Sequence, residues 1–320
     1  MATSALTHLL SDTNEIPRRP LGRTGETVSA LGLGGYHLGM MSSEREAISV
    51  VHAAINAGVT FLDNAWEYHG GTSEIRMGKA LAKGKRQQVF LMTKVCTHGR
   101  DAKVAMRQLE ESLRRLKTDH VDLWQVHEVA YAGDPDRHFR KGGVIEALEK
   151  AKARGLVRFV GFTGHKDPAL HLEMLSHGYA FDTCQMPLNP FDGTFRSFEQ
   201  RVLPELARQG IAAIGMKSLG GGGDAVKKRV IGAKESLRYA MSLPVAVTVS
   251  GMDSLKVVKQ NVSVARGFVP MSALEMQALR SRMAKHAVDG RFELYKVSAK
   301  HEADVGRKQH GSPAQEVLGG

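Results

Sequence analysis

The sequence predicts an α/β fold of the (β/α)8 TIM-barrel type, and three observations predict it. The chain has 320 residues, 42% of them hydrophobic, which is enough for one large core. Short apolar runs alternate with longer amphipathic ones along its length. Eight such pairs follow one another, which is the repeat of an eight-stranded α/β barrel.

A doubly wound sheet is the alternative fold. Such a sheet is expected to carry a Gly-x-Gly-x-x-Gly turn after its first strand. The candidate segment, Gly32 to His37, has His37 where the last glycine should stand. The glycine pattern therefore gives the doubly wound sheet little support.

The strand candidates are short, apolar and β-branched, and turn residues bound them. In chain order they are Val28–Leu33, Thr60–Asp63, Val89–Lys94, Val121–His127, Phe159–Thr163, Thr183–Met186, Ala212–Met216 and Val245–Ser250.

The helix candidates fill the gaps between these strands with apolar residues at helical spacing. They are Glu44–Ala57, Ser73–Ala82, Ala102–Leu116, Val144–Arg154, Asp167–Ser176, Phe198–Arg208, Ala233–Ser242 and Ser254–Val264. Ser42 and Ser43 can cap the first of them, and Gly155 and Gly210 suit helix C-termini.

Residues 17–290 are expected to form a single barrel domain with the cofactor and catalytic site. Residues 1–16 read as a flexible N-terminal arm. Residues 291–320 form a C-terminal tail that could cover the active site. Both ends are rich in polar residues and glycine, which is typical of arms and flexible ends.

Composition argues against several functional classes. The net charge is +11, but the basic residues are scattered over helix-like segments without aromatic interleaving, so no nucleic-acid partner is expected. No apolar run has transmembrane length, and the N-terminus lacks the apolar core of a signal peptide. Cys96 and Cys184 are too few for a disulfide framework or a zinc site. We therefore expect a cytoplasmic protein without a metal or a membrane partner, and the oligomeric state stays open.

Three successive strand-like runs end on residues suited to carbonyl reduction. The runs end on Asp63, Lys94 and His127, and Tyr68 follows the first of them. A phenol is a slow acid near neutrality, and a buried ammonium beside it lowers its pKa. Asp63 could balance the charge of Lys94, and His127 could donate to the carbonyl oxygen. At adjacent strand ends the four residues predict a catalytic cluster.

These segments resemble the aldo-keto reductase family over most of the chain. The motifs are RPLGRTGETVSALGLGG, FLDNAWEYHGGTSE, LMTKV, VDLWQVHEV and GLVRFVGFTGH. The resemblance implies that Asp63, Tyr68, Lys94 and His127 are the family's catalytic tetrad. It also implies hydride transfer from NADPH to an aldehyde or ketone, with Tyr68 as the general acid and NADH as the alternative cofactor.

The same resemblance implies a set of cofactor-binding residues at the later strand ends. They are Thr163, Gly164, Gln185, Met216, Lys217, Ser218, Leu219, Gly220, Gly251, Gln260 and Asn261. Three positions depart from the family pattern. Gly164 stands where asparagine is usual, Met216 stands where an aromatic residue is common, and the arginine for the 2′-phosphate would fall near Val257. Lys256 and Lys259 could substitute for that arginine.

The substrate, a small-molecule carbonyl compound, is expected to bind beside the tetrad. Candidate pocket residues are Tyr36, His37, Trp66, Val129 and Tyr131. An apolar, aromatic pocket of this kind would favour aldehydes or hydrophobic ketones.

Two other functions compete with carbonyl reduction. The chain could be a cofactor-binding regulatory subunit that resembles potassium-channel beta subunits, which also keep a tetrad. It could also be a sugar or alcohol dehydrogenase that works in the oxidative direction.

Overall fold

The computed structural model describes residues 14–96, 101–302 and 307–308. Its strands are β1 (Arg18–Pro20), β2 (Thr27–Ser29), β3 (Leu31–Gly34), β4 (Phe61–Asp63), β5 (Phe90–Val95), β6 (Val121–Val126), β7 (Val157–Thr163), β8 (Thr183–Pro187), β9 (Ala212–Met216) and β10 (Val247–Gly251). Strands β3 to β10 are parallel and close into a barrel in chain order, with β10 against β3. The predicted (β/α)8 fold is confirmed.

Helices follow the barrel strands and cover their outer faces. They are α1 (Tyr36–Met40), α2 (Glu44–Asn56), α3 (Thr72–Ala80), α4 (Ala102–Leu116), α5 (Asp134–Phe139), α6 (Val144–Ala153), α7 (Pro168–Ser176), α8 (Phe198–Arg201), α9 (Leu203–Gln209), α10 (Asp224–Lys227), α11 (Ala233–Ser242), α12 (Leu255–Ala265), α13 (Ala273–Met283) and α14 (Leu294–Val297). Ser43 caps α2 by accepting from Glu46 N at 3.2 Å, and Gly210 ends α9 with a φ of 66°.

The first predicted strand, Val28–Leu33, is wrong in one respect, because the chain breaks it at Ala30. Residues 27–29 pair antiparallel with β1, and only residues 31–34 enter the barrel. The N–H of Ala30 donates to Pro17 O at 2.8 Å instead of continuing a barrel ladder. The resulting hairpin places Leu21 and Val28 in the cluster that fills the barrel interior. It lies at the end of the barrel where the strands begin.

The main core lies between the barrel and its helices. Large side chains such as Trp124 and Phe162 are fully buried there. Helix α3 approaches α4 closely at Gly78, where a Cβ atom would lie 2.3 Å from Arg115 O. Glycine is required at that contact. The close approach of the two helices fixes the position of α3 and therefore of the turn that carries Tyr68.

Both ends of the chain contribute to the described part of the structure. Residues 1–13 of the predicted arm lie outside the described residues, and Ile16 is buried against the main core. In the predicted tail, Phe292, Tyr295 and Lys296 are buried. None of the helices in residues 14–96, 101–302 and 307–308 has both the length and the apolarity needed to span a bilayer.

Candidate active site

The four residues of the predicted tetrad lie at the C-terminal ends of three adjacent strands. Asp63 ends β4, Lys94 is the last residue but one of β5, and His127 directly follows β6. Tyr68 begins the 3-10 turn Tyr68–Gly71 after β4. Because β4, β5 and β6 are parallel neighbours, their ends meet at one rim of the barrel.

The ammonium of Lys94 links three of these residues. It contacts the carboxylate of Asp63, donates to Asn64 O at 2.8 Å and reaches Tyr68 Oη at 3.3 Å. Lys94 is 1% exposed and Asp63 is 5% exposed. A buried ion pair of this kind holds both charges in place, because removal of either partner leaves an uncompensated charge. The phenol hydroxyl therefore lies beside a fixed cation.

The pKa of Tyr68 differs from the sequence-based expectation. Burial raises the pKa of this phenol well above its usual value, and the carboxylates of Asp63, Glu67 and Glu128 raise it further. The expected lowering by Lys94 does not prevail, because these effects outweigh one neighbouring ammonium. Burial also lowers the pKa of Lys94, against the opposing effect of Asp63. Tyr68 consequently keeps its proton throughout the neutral pH range.

His127 contacts a carboxylate that the sequence analysis did not single out. Its Nδ1 lies 2.5 Å from Glu67 Oε1, and the two side chains are 12% and 11% exposed. The other oxygen of Glu67 accepts from the thiol of Cys96 at the end of β5. The ring of His127 stands edge-on to that of Tyr68, with 5.7 Å between the centroids. Glu67 thus connects the ends of β4, β5 and β6.

A second polar group lies next to the tetrad. Glu128, which follows His127, has a left-handed backbone with a φ of 58° and is 6% exposed. Its Oε1 lies 3.8 Å from His165 Nε2, and Lys217 Nζ lies 5.2 Å from the ring centroid of Tyr295. Burial lowers the pKa of His165 well below its usual value, so this imidazole is neutral. The rim therefore offers a carboxylate, a neutral imidazole and an ammonium beside the four predicted catalytic residues.

Comparison with known proteins identifies the family. The model of the aldo/keto reductase family matches residues 30–234, which is more than half of the chain. The chain belongs to the aldo/keto reductase family. It is a family of oxidoreductases, and the match covers the strands that carry all four tetrad residues.

Several members of the aldo/keto reductase family are similar to this chain. Aldo-keto reductase YhdN of Bacillus subtilis is 31% identical over 195 residues, which are 57% of this chain and 55% of that protein. L-galactose dehydrogenase of Arabidopsis thaliana is 35% identical over 159 residues, which are 47% of this chain and 49% of that protein. The chain thus spans about half the length of these curated relatives.

One more curated relative and one solved structure match a larger share of this chain. 6-dehydroglucose reductase of Novosphingobium aromaticivorans is 30% identical over 221 residues, which are 64% of this chain and 69% of that protein. Among solved structures, the holo form of an aldo-keto reductase from Bacillus halodurans is 26% identical, with a TM-score of 0.72, and covers 87% of this chain and 100% of its own.

The predicted cofactor residues of this aldo/keto reductase lie around the same rim. Thr163 ends β7, and Gln185 lies within β8 with its Nε2 3.4 Å from Asp63 Oδ2. Gln185 Oε1 is buried without a hydrogen-bond partner among the described residues. At Gly164 a Cβ atom would lie 2.4 Å from Val129 O and 2.8 Å from His171 Cε1. Any side chain at position 164 would therefore collide with the backbone of Val129 unless that backbone moved.

The loop after β9 forms a tight turn. Met216 ends the strand, and Gly220 N donates to Lys217 O at 2.8 Å. Ser218 O accepts from Ser236 Oγ of α11 at 2.6 Å, and Leu219 is partly buried. Gly220 has a φ of 74°, and a Cβ there would lie 2.3 Å from the backbone oxygen of Phe292. The C-terminal segment therefore packs directly on this glycine turn.

The remaining predicted cofactor residues lie on β10 and α12. Gly251 ends β10, and a Cβ there would lie 2.1 Å from the imidazole of His37. Asn261 is buried and donates to Ser250 Oγ at 3.1 Å, while Gln260 is partly buried beside it. These contacts tie α12 to the last barrel strand.

Two predicted pocket residues lie at the mouth of the rim. Tyr36 is 47% exposed and stands edge-on to Tyr68 with 5.2 Å between the ring centroids. His37 lies beside it, packed on Gly251. Both side chains are therefore near the tetrad, and their contact with substrate stays a prediction.

The other three predicted pocket residues have different surroundings. Trp66 Nε1 donates to Glu111 Oε2 at 2.8 Å, and Arg115 stacks on its indole, so Trp66 faces α4. Val129 is fully buried, and its N–H donates to Thr163 O at 2.9 Å. Tyr131 donates its hydroxyl to Glu302 of the C-terminal segment. None of these contacts tests substrate binding, so the place of these three residues in the pocket stays a prediction.

Glu67, Glu128 and His165 are functional candidates that were missing from the predicted set. A signal for two of them was present, because Glu67 directly precedes Tyr68 and Glu128 directly follows His127. Acidic side chains are almost never buried unless they have partners, so two of them beside predicted catalytic positions make candidates for a role in the site. The direction of each side chain, however, depends on the folded rim.

Proposed function

We propose that this aldo/keto reductase is an NADPH-dependent oxidoreductase that reduces aldehydes or ketones to alcohols, with Tyr68 as the general acid. One observation carries the proposal. The ammonium of Lys94 contacts both Asp63 and the hydroxyl of Tyr68 at the C-terminal rim of the barrel. That arrangement supports transfer of the phenol proton to an oxygen that gains negative charge, because the fixed cation stabilises the phenolate left behind.

When bound, the reduced nicotinamide supplies the hydride that forms the new C–H bond at the carbonyl carbon. The chain supplies the rest. The raised pKa of Tyr68, which results from burial and nearby carboxylates, keeps its proton in place until negative charge develops on the substrate oxygen. His127 can donate to the same oxygen. Asp63 contacts the ammonium of Lys94, and this ammonium holds the hydroxyl of Tyr68 in position.

The residues present fit a nicotinamide dinucleotide. The unpartnered Oε1 of Gln185 is an acceptor of the kind that a carboxamide NH₂ requires, and buried polar atoms normally have a partner. Thr163 and Gln185 would hold the nicotinamide. The N–H groups of residues 217–219, in the turn that Gly220 closes, would face the phosphates, because successive backbone N–H groups in a turn can bind an anion.

NADPH is the proposed cofactor, with NADH as the alternative. Val257 is partly buried against the core, so this position offers no cation to a 2′-phosphate. Lys256 and Lys259 flank Val257 on α12 and are exposed. They supply the positive charge on which the NADPH preference depends in this proposal.

We propose a polar, polyhydroxylated carbonyl compound as the substrate class. Glu128, His165 and Lys217 provide both hydrogen-bond acceptors and donors next to the tetrad, which suits hydroxyl groups better than an apolar chain. The names L-galactose dehydrogenase and 6-dehydroglucose reductase of two relatives point in the same direction. The hydrophobic substrates expected from the aromatic rim residues are therefore less favoured.

The test is a turnover assay of the purified chain with NADPH. Short aldoses are compared with apolar aldehydes of equal carbon number, and loss of the reduced-nicotinamide absorbance is followed. We expect a higher kcat/KM for the aldoses, and we expect Glu128→Gln to reduce that difference. Tight NADPH binding without turnover of any carbonyl compound would contradict the enzyme function and support a regulatory subunit. Equal kcat/KM for both series would contradict the substrate class alone.

A further inference from the structure

Glu67, which is not a tetrad residue, bridges the side chains of His127 and Cys96. Its carboxylate lies 2.5 Å from His127 Nδ1 through one oxygen and accepts from the thiol of Cys96 through the other. The neighbouring side chains make other hydrogen bonds, Trp66 with Glu111 of α4 and Tyr68 with Lys94. A carboxylate that is mostly buried requires compensation, and the imidazole of a predicted catalytic residue is one of the groups that contact it.

The contact determines what His127 can do. Glu67 Oε1 lies off the direction of the ring N–H, so Nδ1 is buried without an aligned hydrogen bond among the described residues. Catalytic hydrogen bonds are often poorly aligned without substrate and tighten when it binds. A carboxylate can only accept, so this contact requires a proton on Nδ1. The other ring nitrogen, Nε2, then carries a proton only if the imidazole is charged.

We propose that Glu67 is a positioning residue that keeps His127 as an imidazolium, so that Nε2–H donates to the carbonyl oxygen of the substrate. The inference rests on the proposed carbonyl reduction. A neutral imidazole with its proton on Nδ1 would present a lone pair to the developing negative charge and would oppose the reaction. The charged form, fixed by Glu67, stabilises that charge instead. No covalent bond to Glu67 or His127 forms or breaks.

Neighbouring strand ends contribute the titratable groups around His127. Among the described residues they are Glu67 and Tyr68 after β4, Lys94 in β5, Cys96 directly after β5, Glu128 after β6 and His165 after β7. Tyr68 is a neutral phenol, because burial and nearby carboxylates raise its pKa. His165 is a neutral imidazole, because burial lowers its pKa. Of the two carboxylates, Glu67 is the one in direct contact with Nδ1.

The first experiment compares pH profiles of kcat/KM for the wild type and Glu67→Gln. The amide removes the charge and keeps the size of the side chain. We expect kcat/KM near neutrality to fall roughly 10- to 100-fold, at or below the loss expected when an oxyanion donor itself is removed. We also expect the alkaline decline of activity to begin at a lower pH. Glu67→Asp, which keeps the charge, should restore most of the alkaline range.

A matched control is Glu111→Gln. Glu111 is a carboxylate on α4 that contacts the neighbouring residue Trp66 and lies outside the site. We expect its kcat/KM profile to match the wild type. Glu67→Gln with an unshifted pH profile would overturn the proposal, even if its activity were low, because a purely structural role lowers activity without moving the profile.

The second experiment keeps the proposal testable if Glu67→Gln does not fold. Heteronuclear NMR of the histidine side chains in the wild-type protein reports which ring nitrogens carry protons, and His127→Gln assigns the signal. We expect both nitrogens of His127 to be protonated near neutrality. A single protonated nitrogen would overturn the inference. This readout requires no turnover, so it separates a failure of the inference from a failure of the proposed reaction.

Discussion

Lys296 Nζ lies 2.6 Å from Asp192 Oδ1, and both side chains are fully buried. The same ammonium reaches Glu293 Oε2 at 2.9 Å and Phe195 O at 2.9 Å. These contacts join α14 to the loop after β8, next to the rim that carries the tetrad. One buried cation thus holds the start of the C-terminal segment against the barrel.

Replacement of Lys296 by methionine should destabilise the protein strongly. Lys296→Met leaves the buried carboxylates of Asp192 and Glu293 without their cation, and removal of one partner from a buried pair costs about 3–5 kcal/mol. The free energy of unfolding in denaturant at about pH 8, where Asp192 is ionised, measures the loss. Lys285→Met, at an exposed lysine, is the matched control and should change stability by less than about 0.5 kcal/mol. Equal stabilities of the two variants would contradict the importance of the buried cation.

Stability should fall as pH rises through the neutral range. Burial raises the pKa of Asp192 to about 7, against the opposing effect of Lys296. The folded protein therefore binds this proton more tightly than the unfolded chain does. The contribution is complete below about pH 4 and is lost as pH rises through about 7.

Unfolding experiments at two pH values check the effect of Asp192. Between about pH 5 and pH 8 we expect ionisation of Asp192 to lower the free energy of unfolding by an amount on the order of 2 kcal/mol. Asp192→Asn, which cannot ionise, should flatten that part of the pH dependence. A pH dependence in Asp192→Asn that equals that of the wild type would contradict this account.

The family's usual asparagine should not fit at position 164. In Gly164→Asn the new Cβ would lie 2.4 Å from Val129 O, so the backbone that follows β6 must move. Overpacking of this kind costs about 1–3 kcal/mol. Gly232→Asn is the control, since no atom lies within 4 Å of a Cβ there and the residue caps α11. Thermal unfolding gives the Tm of both variants, and we expect the lower Tm in Gly164→Asn. An unchanged Tm in Gly164→Asn would refute the steric explanation.

The barrel could be predicted from the sequence because its signals are local. Apolar strand runs and amphipathic helices repeat along the chain, and most predicted elements lie within two residues of the observed ones. The break at Ala30 was missed because it depends on a contact with Pro17 and on the pairing of β1 with β2, which no local pattern reveals.

The convergence of the tetrad could also be predicted, because parallel strands in a barrel deliver their ends to one rim. The roles of the neighbouring polar residues could not. Trp66 and Glu67 are adjacent in the chain, yet one faces α4 and the other His127. Side-chain direction in a turn depends on tertiary contacts. The pKa of Tyr68 depends on three carboxylates from two strand ends, so the effect of Lys94 alone was misleading.

The cofactor preference should depend on two exposed lysines. Lys256→Glu together with Lys259→Glu removes the cations that flank Val257, so we expect the ratio of NADPH to NADH affinity to fall at least tenfold, or about 1.4 kcal/mol. Lys234→Glu, an exposed position on α11, should leave the ratio unchanged. Titration of each cofactor in binding experiments gives both affinities. An unchanged ratio in the double variant would contradict the role of these lysines.

The most direct test of the central claim measures NADPH oxidation and NADPH affinity in Tyr68→Phe. The variant lacks only the hydroxyl that lies 3.3 Å from Lys94 Nζ. Tyr179→Phe, whose hydroxyl binds Glu149 away from the rim, is the matched control. We expect kcat with the best carbonyl substrate to fall about 10²- to 10⁴-fold in Tyr68→Phe, with NADPH affinity unchanged. Retention of most of the wild-type activity in Tyr68→Phe would contradict the assignment of Tyr68 as the general acid.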